Sequence, residues 1–458
     1  MKPTANTGLP AKTYTLAIAA FVVGHIVLAW GMRSLPFVAT AHALLCVAAG
    51  VLVAARRPLY QTAYVAGYIA GAEVLWRMNR AGVFWEYGKY AVCVVLIVAL
   101  TRVQLRRNVG LALGYLALLL PSVILTVLAV EGDLARQVIS FNLSGPLSLA
   151  LCVVFFSNLR LSSQQLVTTF FATIAPIVAI AAISYFSTVS AADLAFNGQS
   201  NAITSGGFGP NQVSAMLGLG MLLAFLMLFG RMHPPAMRWP LIVLGVVLGA
   251  QCALTFSRGG LVVALGGLLA AMFYLVRSSR TRITLFLVAT LVTAVANYVV
   301  IPRLDNFTQG KLVERYTNTR VSNRDTLARA DLEIFADNIA LGVGPGVAST
   351  IRNENGDRVA AHTEFTRSLA EHGLLGALAM ILLGVLGFRT IVQTRSLLAR
   401  ALVASMLVWF VLFLLINAMR IAAPSFLFGL ACSIAYSSVP RPRPPAPATL
   451  APASVPIH

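Results

Sequence analysis

The sequence predicts an all-α polytopic integral membrane protein, with about 12–14 transmembrane helices and one large helical loop facing away from the cytoplasm. Three observations predict it. The 458-residue chain is 58% hydrophobic and only 11% charged, with a mean hydropathy of +0.81, which lies outside the range of soluble globular domains. Its apolar residues gather into runs, among them 92–100, 110–130, 217–230 and 401–416, that approach or reach the roughly 20 residues a helix needs to span a bilayer. All fifteen Asp and Glu can be placed in alternate connectors, or at the segment ends beside them. The runs lack the alternation of a β-barrel, and backbone polar groups cannot go unpaired in lipid, so the spanning elements are helices.

Taken in order, the runs are 14–31, 35–55, 59–78, 83–101, 109–130, 141–157, 165–189, 211–230, 239–256, 259–276, 283–301, 373–393, 398–417 and 421–438. The first follows Lys2 and Lys12 but lacks a clear cleavage site, so it is read as a retained helix rather than a signal peptide. The sixth is short, and the ninth and tenth are joined only by Ser257-Arg258, so loss of one pair would leave twelve crossings. Four regions result: 1–301 with the N-terminal and central crossings, the loop 302–372, the crossings of 373–438, and a tail at 439–458. The tail is Pro-rich, has no apolar period and is expected to be disordered.

With the N-terminus inside, eighteen Lys and Arg fall in cytoplasmic connectors that hold no acid, while the opposite side has sixteen cations and all fifteen acids. That asymmetry sets the orientation and puts both termini in the cytoplasm. The net charge of +19 is therefore a topology signal first and a contact with anionic membrane lipid second, and it does not indicate nucleic acid. The five cysteines lie singly inside apolar runs with no metal-ligand spacing, so neither a disulfide framework nor a zinc site is expected.

The loop holds ten of the fifteen acids together with eight Arg and one Lys. A helix is expected to open at Ser322-Asn323-Arg324-Asp325 and run to about Asn338, with Ser322 or Asn323 as its cap. Gly342-Val343-Gly344-Pro345-Gly346 then makes a turn. A second helix is expected from His362-Thr363 to Gly373, where the next crossing starts.

Four constellations could carry chemistry. Thr255-Phe256-Ser257-Arg258-Gly259-Gly260 puts an arginine beside two glycines at a membrane boundary. That is costly without a partner or an anion, and a guanidinium fork matches phosphate. The plain alternative is an arginine snorkelling to the interface. Within the loop, Arg303, Arg315, Arg320, Arg324 and Arg329 form either a solvated ion-paired face, with Asp325 and Arg329 one turn apart, or partly an anion clamp. Arg324 is favoured over Arg329 because free N–H groups at a helix start also attract phosphate. His362 at a helix N-terminus stays neutral beside the positive dipole end and suits a general base, with Glu364 and Glu371 as candidates for orienting it. Gly206-Gly207-Phe208-Gly209-Pro210-Asn211 runs into a crossing, where Asn211 is a cap or part of a headgroup seat. The glycines of 342–346 follow a helix rather than a strand and face the wrong compartment for a nucleotide.

In this order, Gly-Pro-Asn211, Ser-Arg258-Gly-Gly, Arg324, Gly-Val-Gly-Pro-Gly346 and His362 followed by Leu369 and Glu371-His-Gly373 resemble the O-antigen ligase and polymerase superfamily. The resemblance spans residues 200–376; Thr363 departs from the Asn that commonly follows the histidine. It implies an inverting, metal-independent glycosyltransferase of the bacterial inner membrane with a periplasmic active site and no cofactor or nucleotide. Such an enzyme moves an undecaprenyl-diphosphate-linked glycan onto an acceptor, which for the ligase branch is the lipid A–core of lipopolysaccharide. On this reading Arg258 and Arg324 hold the diphosphate, His362 deprotonates the acceptor hydroxyl, and Arg329, Arg320, Asn211 and Glu364 contact diphosphate or glycan. The ligase branch is favoured because one long loop carries all the late motifs. The alternatives are an O-antigen polymerase, a protein O-oligosaccharyltransferase or, from another class, a lipid or glycan transporter.

Overall fold

Among the described residues, apolar runs punctuated by Pro, Gly and Arg fold into helices. The computed structural model describes residues 11–191, 200–276, 301–317, 324–352 and 361–438, with single positions at 283 and 298. It is 80% helical and holds no strand among the described residues. In order the helices are α1 (Ala11–Ser34), α2 (Pro36–Arg56), α3 (Leu59–Met78), α4 (Tyr87–Leu100), α5 (Val109–Leu119), α6 (Val123–Ala129), α7 (Gly132–Ser157), α8 (Ser163–Val189) and α9 (Pro210–Phe229). There follow α10 (Arg238–Leu254), α11 (Arg258–Leu275), α12 (Ile301–Phe307), α13 (Lys311–Thr317), α14 (Arg324–Asp337), α15 (Ala348–Ile351), α16 (Glu364–Gln393), α17 (Leu397–Ile416) and α18 (Ala423–Ser437). Among the described residues nine spans are long and apolar enough to cross a membrane, and the protein is a multi-pass membrane protein. The eleventh expected run, 283–301, and the tail at 439–458 lie outside the described residues, apart from single positions.

Two expected segments differ. The sixth begins at Gly132, not near 141, because Asp133 in its first turn suits the positive end of a helix; charge ends an apolar run without ending helicity. The fifth divides into α5 and α6 at Leu120-Pro121-Ser122, where proline supplies no N–H to continue the ladder.

Small residues let the helices approach. α11 packs between α9 and α17, α3 against α8, and α7 against α18. A side chain at Gly260 of α11 would overlap the backbone of Ser214 in α9, the close approach that small residues permit between membrane helices.

The expected end of the loop's last helix at Gly373 is a break inside α16, where Gly373 adopts φ 60° and ψ −141°. The glycine turn fills that break: Val343 and Gly344 donate their N–H groups to Ala370 O and Glu371 O, and Leu374 N–H donates to Ile339 O at 2.8 Å. A Cβ at Gly373 would sit 2.5 Å from Ile339 O and 2.6 Å from Gly342 N. Gly373→Ala is therefore expected to destabilise the fold by about 1–3 kcal/mol, read as a lowered thermal unfolding midpoint in detergent; an unchanged midpoint would mean that the break is not fixed.

Candidate active site

The first half of the site is the turn between α10 and α11. Phe256 takes a left-handed conformation at φ 56°, which reverses the chain tightly enough to place Arg258 in the first turn of α11. Ser257 precedes that helix without capping it. Its hydroxyl instead donates to Asn211 Oδ1 at 2.8 Å and accepts from Ser214 Oγ at 3.2 Å, while Gly260 N–H donates to Ser214 Oγ at 3.0 Å. Asn211 is not a helix cap, since Gly209 holds that position and Pro210 the next; its amide ties α9 to the arginine turn.

Arg315 from the loop joins this turn. Its Nε donates to Phe256 O at 3.1 Å, and the neighbouring Tyr316 hydroxyl donates to Ala253 O at 3.4 Å. Burial, and then the like charge of Arg258, hold the Arg315 guanidinium below its ordinary range. Two cations thus converge at the N-terminal end of an 18-residue helix, an arrangement suited to an anion.

The second half is organised by buried ion pairs. Glu73 and Arg77 of α3 pair at 2.5 Å. Arg77 also donates to Gln212 Oε1 at 2.8 Å and to Arg420 O at 3.0 Å. Arg367 of α16 pairs with Glu364 and, at 2.6 Å, with Glu371, and reaches Asn142 Oδ1 at 3.1 Å. The non-helical strap between α17 and α18 is pinned at both ends, Met419 N–H donating to Glu364 at 3.0 Å and Ala422 N–H to Glu73 at 2.5 Å. From the strap, Arg420 donates to Ala361 O at 2.7 Å, directly before His362. Burial first, then Arg367, lowers the affinity of Arg420 for its proton. Asp331 of α14 receives a hydrogen bond from Thr366 at 2.8 Å and lies 3.2 Å from Arg352; burial outweighs that cation and raises its pKa.

A continuous run of contacts therefore joins the two halves, from Arg258 through Ser257, Asn211, Gln212, Arg77 and Arg420 to Ala361 and His362. His362 is half-buried and stands just before Thr363, whose hydroxyl caps α16 by accepting from Phe365 N–H at 3.2 Å. Beside Ala361 opens a cavity of about 300 Å³, walled by Asn142, Gly346, Arg352, Arg367 and Arg420 among others.

Of the residues expected from sequence, Arg258 and Asn211 come together. Arg324 opens α14, although its side chain is outside the description, and Arg329 is exposed on that helix. Arg320, Ser322 and Asn323 lie outside the described residues. Glu364 is buried and engaged by Arg367 and the strap rather than open to a ligand. Sequence reasoning did not single out Arg77, Arg352, Arg367 or Arg420. The signal for two of them was present: Glu73 and Arg77, and Arg367 with Glu364 and Glu371, have the three- and four-residue spacing of helical ion pairs. Among the described residues no group of three or more His, Cys, Asp or Glu is arranged to hold a metal.

A family model described as Wzy_C, O-antigen ligase, matches residues 247–381. No curated protein matches the chain. The matched stretch runs from α10 into α16 and takes in Arg258, Arg315, Arg324, the glycine turn, His362 and the Gly373 break. Over residues 247–381, which carry both halves of the site, this multi-pass helical protein is therefore similar to the O-antigen ligase family.

Proposed function

We propose that the protein is an O-antigen ligase, transferring a glycan from undecaprenyl diphosphate to the lipid A–core at the periplasmic face of the inner membrane. The observation that carries this reading is the pairing of Arg258 and Arg315 at the start of α11, joined by a continuous network to the segment bearing His362. His362 takes the proton of the acceptor hydroxyl, and that oxygen attacks the anomeric carbon. The bond from that carbon to the diphosphate breaks on the opposite face, so configuration inverts. The diphosphate departs with the bonding electrons, and Arg258, Arg315 and Arg324 stabilise the charge that develops. The buried carboxylates Glu73, Glu364 and Glu371 are each paired with an arginine, which favours a route without metal.

The test is transfer by full-length protein in detergent, given undecaprenyl-diphosphate glycan and lipid A–core with EDTA present. Glycan is expected on the lipid A–core, and His362→Ala is expected to lower its rate by roughly 10²–10⁴-fold. A strict need for divalent metal would overturn the mechanism. Glycan lengthening on its own carrier would make the protein a polymerase.

A further inference from the structure

The helices that frame the candidate active site at one end enclose a different site at the other. The ends of α5, α7, α16 and α18 remote from His362 close around a second cavity of about 270 Å³. Along α7, the fifteen residues from Asn142 in the first cavity to Ser157 in the second rise about 22 Å. That approaches the thickness of the hydrocarbon layer, so the two cavities lie toward opposite membrane surfaces.

Arg106, Arg107 and Arg389 reach into this second cavity, and no acidic residue lines it. The backbone of Arg106 and Arg107 is held in place. Asn158 Oδ1 accepts the backbone N–H groups of Arg106 and Arg107 at 2.9 and 3.0 Å, and its amide returns a bond to Arg107 O at 3.2 Å. Asn108 is left-handed at φ 56° and donates to Ser157 Oγ at 3.0 Å, which fixes the turn into α5. Over Tyr436, the guanidiniums of Arg107 and Arg160 lie 4.1 and 4.3 Å from the ring centroid. An aromatic face tolerates cations but does not neutralise them. The three lining arginines are solvent-exposed around a floor that includes buried Ser157 and Thr390, and guanidinium forks converging on one mouth without a neighbouring acid match phosphate. Beside Arg389 on α16, Phe388 and Val392 are 68% and 57% exposed, so apolar surface adjoins the charged mouth as it would for an acyl chain beside its headgroup.

We propose that this pocket is a phosphate-binding site occupied by the headgroup of an acidic phospholipid, on the membrane surface opposite the candidate active site. Lipid and free phosphate share the recognised group, and the experiment separates them. Full-length protein in detergent is offered phosphatidylglycerol, phosphatidylcholine or inorganic phosphate alone, and bound ligand is read by native mass spectrometry beside the thermal unfolding midpoint. Phosphatidylglycerol is expected to be retained and to raise the midpoint, and phosphatidylcholine is not. The double variant Arg107→Gln, Arg389→Gln is expected to bind phosphatidylglycerol roughly 30-fold more weakly. Should that variant not fold, Arg389→Gln alone is expected to lose roughly fivefold. Equal protection by inorganic phosphate without lipid would uphold the phosphate chemistry and overturn the lipid as its source. Equal retention of phosphatidylcholine, or undiminished retention of phosphatidylglycerol by a folded variant, would overturn the site.

Discussion

Arg258→Ala is expected to lower glycan transfer by roughly 10²–10³-fold, the usual effect of removing one group aimed at developing charge. The variant should still fold. The turn that carries Arg258 keeps the bonds made by Ser257, Asn211, Ser214 and Gly260 when the guanidinium is removed. Arg258→Lys retains charge without the bidentate fork and is expected to fall between wild type and Ala. Arg315→Ala is expected to behave differently, since Arg315 also bonds Phe256 O and so holds the left-handed turn; transfer and thermal stability should fall together. The check is a transfer rate beside an unfolding midpoint for each variant. A folded Arg258→Ala protein that transfers glycan within about threefold of wild type would remove this residue from the chemistry.

Arg367→Met should produce the largest loss of stability, about 3–5 kcal/mol. Arg367 is buried between Glu364 and Glu371 and also reaches Asn142. Removing it leaves two buried carboxylates without their cation, one of which positions the strap through Met419. An uncompensated buried charge costs far more than the intact pair contributes, so the effect is asymmetric. Glu371→Gln should be milder, because Arg367 keeps Glu364. Thermal unfolding in detergent decides between these outcomes. A midpoint for Arg367→Met equal to wild type would show that the network does not support the fold.

The apolar runs were legible because spanning a membrane is a local requirement of length and hydropathy. The runs at 165–189, 211–230 and 398–417 agree closely with α8, α9 and α17. The first two turns of α7 were not legible, since they are polar and helical at once. The break at Gly373 could be read from a glycine after His372, whereas the turn that fills it could not. That turn depends on backbone groups of Ile339, Ala370 and Glu371 meeting across the fold.

At the site, sequence alone marked Arg258, His362 and Asn211, because an arginine at a membrane boundary, a histidine at a helix start and a Gly-Pro-Asn entry each have a local physical rationale. It also allows all fifteen acids to be assigned to one side, an expectation that follows from the Lys and Arg bias between connectors. Only the tertiary structure decided that Arg315 lies against the Arg258 turn, that Glu364 belongs to a buried ion pair, and that Arg77 bonds Arg420 across 343 positions of sequence. Those pairings follow from which helices pack together. Packing in a membrane is set by small residues such as Gly260 and by polar groups that must find partners in a medium without water, and neither requirement names its partner in the sequence.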